Sequence, residues 1–154
     1  MGKVSLVVFQ DDCVGCHACE LACKQEHSLD VGPRLIRVME KPPVYVPIYC
    51  HHCAKPPCRE SCPVEAISRD DRGVVEVDEE LCIGCKACIE ACPFGAMQFD
   101  EDSGVAVQCD LCSERLERGQ QPACTAVCPT RCILWGGMQE IYAKIDDRLS
   151  ARGE

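Results

Sequence analysis

The chain has little of what usually builds a protein core. Its 154 residues include one Trp, three Tyr and three Phe, so aromatic packing contributes little and something else must hold the fold together. No apolar run approaches the ~20 residues that cross a bilayer, which argues against direct membrane insertion. Basic residues are not in excess: 16 Lys and Arg stand against 25 Asp and Glu, a formal net charge of −9, so nucleic acid is not an expected partner. There is no G-x-G-x-x-G or Walker A phosphate loop, and no Ser/His/Asp arrangement can be singled out. Met1-Gly2-Lys3 leads directly into Val4–Phe9, an apolar stretch too short for the core of a secretory signal. The expectation is a cytoplasmic protein without catalytic residues of its own.

Cysteine is what the chain has instead. It carries seventeen, and sixteen of them form four quartets. Cys13, Cys16, Cys19 and Cys23 are spaced C-x2-C-x2-C-x3-C. Cys50, Cys53, Cys58 and Cys62 are spaced C-x2-C-x4-C-x3-C-P. Cys82, Cys85, Cys88 and Cys92 read C-x2-C-x2-C-x3-C-P, and Cys109, Cys112, Cys124 and Cys128 read C-x2-C-x11-C-x3-C-P. The C-x2-C-x2-C-x3-C-P run is the bacterial ferredoxin ligand set for a cubane [4Fe–4S] cluster. Zinc also takes paired C-x2-C units, but it does not usually call for three closely spaced cysteines followed by C-P. A disulfide scaffold needs an oxidising compartment. The spacing therefore predicts four [4Fe–4S] clusters, an electron-carrying role and a reducing, anaerobic setting, since thiolates are the ligands. Metal binding would then be part of folding, and the apo chain is expected to fold poorly. Each oxidised cubane with its thiolates adds about −2 to the charge.

A repeat organises the chain. Cys62-Pro63, Cys92-Pro93 and Cys128-Pro129 each end a quartet, and proline, with fixed φ and no N–H, redirects the backbone there. Strands are expected to follow, with hairpins pairing Ile67–Arg69 to Val74–Val77 and Met97–Phe99 to Val105–Gln108. Cys19–His27 and Cys88–Ala91 are rich in good helix formers. Val4–Phe9 reads as an opening strand. Gly32–Pro47, with four prolines, reads as an extended connection or a partner-binding arm, with a strand-like stretch at Leu35–Met39. After a Gly136-Gly137 break, Met138, Ile141, Tyr142, Ile145 and Leu149 recur at helical spacing, with Arg148 and Arg152 at the helix C-terminus. That helix either packs on its own module or docks another subunit.

Several residues beside the ligands have two readings. Cys132, the unpaired thiol, stands where the repeat has Ala66 and Ala96, and is expected to be a small buried residue rather than a further ligand. His17, His51 and His52 lie in cysteine loops. Histidine ligates iron in Rieske centres, but no quartet lacks a cysteine, so these are expected to face solvent or to tune a potential by hydrogen bonding. Lys24, Lys55, Arg59, Lys86 and Arg131 adjoin ligand cysteines and either favour a reduced cluster or are solvated charges. Asp70-Asp71 and Asp100-Glu101-Asp102 read as solubilising turns.

The four motifs, in this order and across Cys13–Cys132, resemble the four-cluster electron-transfer subunits of the dimethyl sulfoxide reductase family of molybdenum enzymes. Similar small subunits serve formate dehydrogenases, hydrogenases and tungsten aldehyde oxidoreductases. The resemblance implies an α+β fold of two ferredoxin-like modules, the second inserted in the first: residues 1–48 with 104–154, and residues 49–103. It implies nested ligand sets: Cys13, Cys16, Cys19 and Cys128; Cys50, Cys53, Cys58 and Cys92; Cys82, Cys85, Cys88 and Cys62; and Cys109, Cys112, Cys124 and Cys23. Spacing alone also admits the sequential pairing, one with two and three with four. Some relatives lack a cysteine in the third quartet and hold a three-iron cluster there; with that quartet complete, four cubanes are expected.

The implied partner is a large catalytic subunit with a molybdenum or tungsten pterin, with aldehyde or formate oxidation leading, and with room for a further flavin- or NAD-linked subunit and for end-to-end self-association into a filament. A chain shorter than many relatives argues against a quinone-linked, membrane-docked role. A free polyferredoxin shuttle and an accessory protein for metalloenzyme maturation are the alternatives from other functional classes.

Overall fold

A computed structural model describes residues 2–153. Among the described residues the chain forms eight short strands: β1 (Val4–Val8), β2 (Ile36–Lys41), β3 (Val44–Tyr49), β4 (Ile67–Arg69), β5 (Val75–Val77), β6 (Gln98–Asp100), β7 (Val105–Val107) and β8 (Ile133–Gly137). Six helices accompany them: α1 (Ala18–Glu26), α2 (Pro57–Ser61), α3 (Ala87–Ala91), α4 (Ser113–Glu117), α5 (Ala123–Val127) and α6 (Met138–Arg152). The strands pair in four antiparallel ribbons, β1 with β8, β2 with β3, β4 with β5 and β6 with β7. This is an α+β chain. Among the described residues no helix is long and apolar enough to cross a membrane.

The two ends of the chain meet. β1 runs antiparallel to β8, from Val4 opposite Gly137 to Val8 opposite Ile133, and α1 packs against α5. The middle of the chain closes on itself through the β4–β5 and β6–β7 hairpins and through α2 against α3. Two apolar clusters follow this division. One gathers Leu6, Ile36, Leu111, Leu116 and Ile133 around Cys19, Cys23 and Cys124; the other gathers Ile67, Val75, Met97 and Ala106 around Cys58 and Cys88. Val74 and Val75, both essentially inaccessible, belong to different clusters, because successive strand side chains point to opposite faces. The approach to β5 is thus the partition between them. β7 pairs with β6, so that hairpin runs across residues 103 and 104.

The expected hairpins, opening strand, first helix and C-terminal helix are present within a residue or two. Gly136 and Gly137, read as a break, are instead the last residues of β8, opposite Ser5 and Val4. Helices α2, α4 and α5 have five residues each, too short to be stable alone. Proline sets the start of two of them: Pro57 at the first turn of α2 and Pro122 as the N-cap of α5, where a missing N–H costs nothing.

Gly32–Pro47 is not an extended connection. It builds most of the β2–β3 hairpin, paired from Ile36 opposite Tyr49 to Lys41 opposite Val44, folded back over α1. The anchor is Glu20, a buried carboxylate on α1 between Cys19 and Cys23. It accepts from the Val38 amide at 2.5 Å and from Arg34 at 2.9 Å, and pairs with His17 at 3.2 Å. Burial pushes its pKa up, but these three donors outweigh it and hold the carboxyl below the usual range. The hairpin also lays Tyr45 on the first cysteine loop, so closely that a Cβ at Gly15 would collide with the ring. The β6–β7 hairpin covers the third loop in the same way: a Cβ at Gly84 would lie 2.6 Å from the Gly104 carbonyl and 3.4 Å from Phe99.

Both covers can be tested through stability. Glu20→Ala removes the carboxylate that accepts from the Val38 amide and is expected to cost about 1–3 kcal/mol, seen as a lower anaerobic unfolding temperature and faster proteolysis within 36–49. Gly84→Ala combines a left-handed φ of +69° with the backbone collision, costing about 1–2 kcal/mol for conformation and about 1–3 for overpacking. Gly104→Ala has a similar φ of +73° and open space, so only the conformational cost applies. Chelator-driven bleaching should be accelerated more by Gly84→Ala than by Gly104→Ala.

Candidate iron–sulfur centres

The three C-P turns are built alike. The carbonyls of Cys62, Cys92 and Cys128 accept from the amides of Glu65, Gly95 and Arg131 at 3.5, 3.3 and 3.2 Å. Those three residues are left-handed, with φ of 53°, 62° and 52°. In two of them the next amide then turns back to sulfur: Ala66 N–H donates to Cys62 Sγ at 3.3 Å and Ala96 N–H to Cys92 Sγ at 3.4 Å; at Cys128 the sulfur is met by the Thr130 hydroxyl and the Cys132 thiol. That position is closed in, and Ala66, Ala96 and Cys132 are all buried. Cys132 is the small buried residue expected there, but its Sγ also lies 3.5 Å from Cys128 Sγ. Elsewhere His52 N–H donates to Cys50 Sγ and Leu111 N–H to Cys109 Sγ, both at 3.4 Å, and Ala106 N–H to Cys82 Sγ at 3.5 Å. Donors aimed at sulfur favour the thiolate.

The fold gathers the cysteines into groups that cross quartet boundaries. Cys50, Cys53, Cys58 and Cys92 line one enclosed space, together with Val75, Phe94 and Met97. Cys62, Cys82, Cys85 and Cys88 line another, walled by Ile67, Val77 and Ile83. The packing of α1 on α5 brings Cys23 near Cys109, Cys112 and Cys124, close enough to add to the rise that burial gives the pKa of each of those three. Cys19 feels Cys16 and Cys13, and Cys132, in contact with Cys128, also feels Cys13. Neighbouring groups approach at Cys19 and Cys124, at Cys50 and Cys109, and at Cys58 and Cys88. The four groups therefore form a row.

Electrostatics say what these groups are suited to hold. Burial, assisted by neighbouring thiols, pushes Cys19, Cys50 and Cys124 up to about 12 and Cys88 to about 11; Cys109 lies well above its ordinary value. Such thiols become thiolates together only around strong positive charge. Soft sulfur donors, apolar walls and inward-pointing amides match an iron–sulfur core, and the residues present fit that group.

His27 and Asp110 carry no signal in the sequence. His27 closes α1, with Nδ1 2.9 Å from the Cys23 carbonyl and Nε2 2.8 Å from Asp110 Oδ1. Asp110 in turn accepts from the Cys112 amide at 2.8 Å. The hydrogen bond to Asp110 leads in raising the His27 pKa to about 11; burial pushes Asp110 upward, but His27 outweighs it and the carboxyl stays low. Both imidazole nitrogens therefore donate. His27, Asp110 and Cys112 lie close enough together to suggest a metal site, but Cys112 already belongs to a cysteine group. No short-range sequence pattern joins residues 27 and 110.

The three loop histidines differ from one another. His17 pairs with Glu40 and Glu20. His51 stacks between Tyr49 and Phe94, with ring centroids 4.9 and 4.0 Å away. His52 is not solvent-facing: it is buried, and Nδ1 accepts from the Val75 amide at 2.9 Å. Lys55, Arg59 and Arg131 are exposed, and Lys86 lies over the Phe99 ring near Glu101, while Lys24 bonds the Asp30 carbonyl at 2.5 Å. Asp70 and Asp100 do more than solubilise, since they accept from Val74 and Asp102 amides within their own turns. Cys16 and Cys85, in the first and last groups of the row, are exposed beside Val14 and Ile83, which are 57% and 64% accessible.

Comparison with known proteins identifies the family. The model of the 4Fe-4S dicluster domain matches residues 43–138, and that of a 4Fe-4S binding domain matches residues 10–26. The thiosulfate reductase electron transfer subunit of Salmonella typhi is 38% identical, over 90% of this chain and 84% of its own. The B subunit of polysulfide reductase from Wolinella succinogenes is 32% identical over 97% and 84%, and the B subunit of anaerobic dimethyl sulfoxide reductase from Escherichia coli K12 is 36% identical over 88% and 74%. Multiple [4Fe–4S] clusters and a non-catalytic, electron-transferring role follow for this protein. It belongs to the family of iron–sulfur electron-transfer subunits that includes the B subunits of the dimethyl sulfoxide and polysulfide reductases.

Proposed function

We propose that this chain is the relay subunit of a larger oxidoreductase, moving electrons singly along four [4Fe–4S] clusters to or from a large subunit with a molybdenum or tungsten pterin. The observation that carries this reading is the row of four cysteine groups with an exposed ligand, Cys16 or Cys85, in each end group. The proposed ligand sets are the nested ones: Cys13, Cys16, Cys19 and Cys128; Cys109, Cys112, Cys124 and Cys23; Cys50, Cys53, Cys58 and Cys92; and Cys82, Cys85, Cys88 and Cys62. The two enclosed spaces lined by Cys50–Cys92 and Cys62–Cys88 members support this pairing. Two ferredoxin-like modules go with it, the outer one made from both ends of the chain; the β6–β7 pairing favours ending the inner one after Val107.

When bound, the clusters supply one-electron couples. The chain's own residues do the rest. Amides of His52, Ala66, Ala96, Ala106 and Leu111 donate to the sulfurs that would hold the clusters. Val75 and Met97 put apolar surface against the Cys50–Cys92 site, and Ile67 and Val77 against the Cys62–Cys88 site. The approaches at Cys19/Cys124, Cys109/Cys50 and Cys58/Cys88 keep neighbouring sites adjacent. Val14 and Ile83 make each end suitable for docking.

Relatives named for thiosulfate, polysulfide and dimethyl sulfoxide reduction support a reductase partner. Aldehyde and formate oxidation, foremost among the expectations from sequence, draw no support from those names. A cytoplasmic location suits the requirement for reduced thiols, and a flavin- or NAD-linked third subunit is compatible with the free end of the row.

Two experiments test this reading. Cys16→Ser and Cys128→Ser are expected to perturb one and the same electron paramagnetic resonance signal, and Cys50→Ser and Cys92→Ser a second; grouping of Cys16 with Cys62 would overturn the nested sets. Anaerobic affinity purification from the native host should recover a stoichiometric large subunit, with viologen-linked reduction of a sulfur compound. Recovery of the chain alone with about sixteen irons would favour a free shuttle, and long assemblies of this chain would identify end-to-end stacking.

A further inference from the structure

Two arginines on α6, outside every cysteine motif, hold together the two segments that frame the first cysteine group. Arg148 donates to the Arg131 carbonyl at 2.6 Å and to the Thr130 carbonyl at 3.1 Å, inside the turn that follows Cys128. The same guanidinium pairs with Asp12 Oδ2 at 2.8 Å, immediately before Cys13. Arg152 also pairs with Asp12. Both guanidinium groups lie over the Phe9 ring, 4.8 and 5.6 Å from its centroid, and the Phe9 amide donates to the Cys132 carbonyl at 2.8 Å. Arg148, Arg152 and Asp12 are each about three-quarters buried, and together they carry one net positive charge.

Cys128 differs from its repeat equivalents in a second, independent way. Cys62 and Cys92 are followed four residues later by alanine. Cys128 instead has the Thr130 hydroxyl at 3.6 Å and the Cys132 thiol at 3.5 Å, two side-chain groups able to donate to it once it is a ligand thiolate. One-electron reduction takes a cubane with its thiolates from about −2 to about −3, the electron coming from the redox partner. Nearby positive charge and donors to sulfur favour the more negative state.

We propose that Arg148, assisted by Arg152, is a positioning residue that clamps the Cys13 and Cys128 segments into one site and raises the reduction potential of the cluster bound there. The inference rests on the nested assignment of Cys13, Cys16, Cys19 and Cys128, and extends it to residues no cysteine motif contains. It also gives α6 a role that a helix packed only through Ile141 would lack.

The test is a redox titration followed by electron paramagnetic resonance on the full chain with its clusters, for Arg148→Gln, Arg148→Lys and Arg152→Gln, with iron content measured in parallel. Arg148→Gln should lower the midpoint of the signal that Cys16→Ser and Cys128→Ser perturb, by tenfold or more in the reduction equilibrium, about 59 mV for one electron. That cluster should also bleach fastest with chelator. Arg148→Lys keeps the charge but not the two-carbonyl fork, and should restore most of the midpoint while still bleaching faster than the parent. If Arg148→Gln loses the cluster altogether, the lysine and Arg152→Gln variants carry the measurement, with a lower midpoint expected for Arg152→Gln. An unchanged midpoint at full iron content overturns the proposal and leaves the ligand sets standing. A shift confined to another signal does the same. If Cys16→Ser and Cys128→Ser perturb different signals, it is the ligand assignment that fails.

Discussion

The cost of ionising thiols that are buried and crowded together governs this molecule. The fold drives cysteines into groups where burial, and then proximity, make the most enclosed sulfurs, Cys19, Cys50, Cys109 and Cys124, resist ionisation. Only a strongly cationic core reverses that resistance, so folding and cluster assembly form one equilibrium. This explains how a chain with seven aromatic residues sustains two apolar clusters: cysteines are members of both, and the aliphatic residues close around them.

The repeated unit that makes this work is the C-P turn. A left-handed residue three positions after cysteine turns the chain back towards sulfur, with the next amide bonded to it at Cys62 and Cys92, and the side chain that follows is small. Variation is confined to what surrounds the unit. In the inner half, alanine fills the small position and the neighbouring hairpins provide the walls. In the outer half, Cys132 fills it, Thr130 adds a hydroxyl, and an arginine from the last helix grips the turn from outside. The same backbone geometry is thereby placed in different electrostatic surroundings, and surroundings of that kind are what tune cluster potentials in general.

Much of this was legible in the residues. The quartets, the C-P repeat, the two central hairpins, α1 and α6 all announce themselves through spacing, Gly placement or helical periodicity. The missed features are those created by long-range contact. The Pro-rich stretch around residues 42–47 reads as linker because proline weakens a strand signal, yet β2–β3 forms because Glu20 meets the Val38 amide. Helices α2, α4 and α5 are single turns dictated by cluster-loop geometry, with no periodicity to detect. His52 reads as a surface loop residue until β5 is brought against it, and His27 meets Asp110 across 83 positions. Arg148 and Arg152 look like helix-dipole partners until α6 is laid against Asp12.

The antiparallel pairing of β1 with β8 also imposes an order on biosynthesis. β1 and α1 leave the ribosome early, but their partners β8 and α5 are encoded more than 95 residues later. At about 5–20 residues per second, the opening cysteines wait several seconds for β8 and α5 with only the β2–β3 hairpin to cover them, while the β4–β5 and β6–β7 region already has every strand it needs. The middle of the chain can mature while its ends are still apart, and the thiols made first are the last to be sheltered. Oxidative damage during translation should therefore fall on the amino-terminal loop.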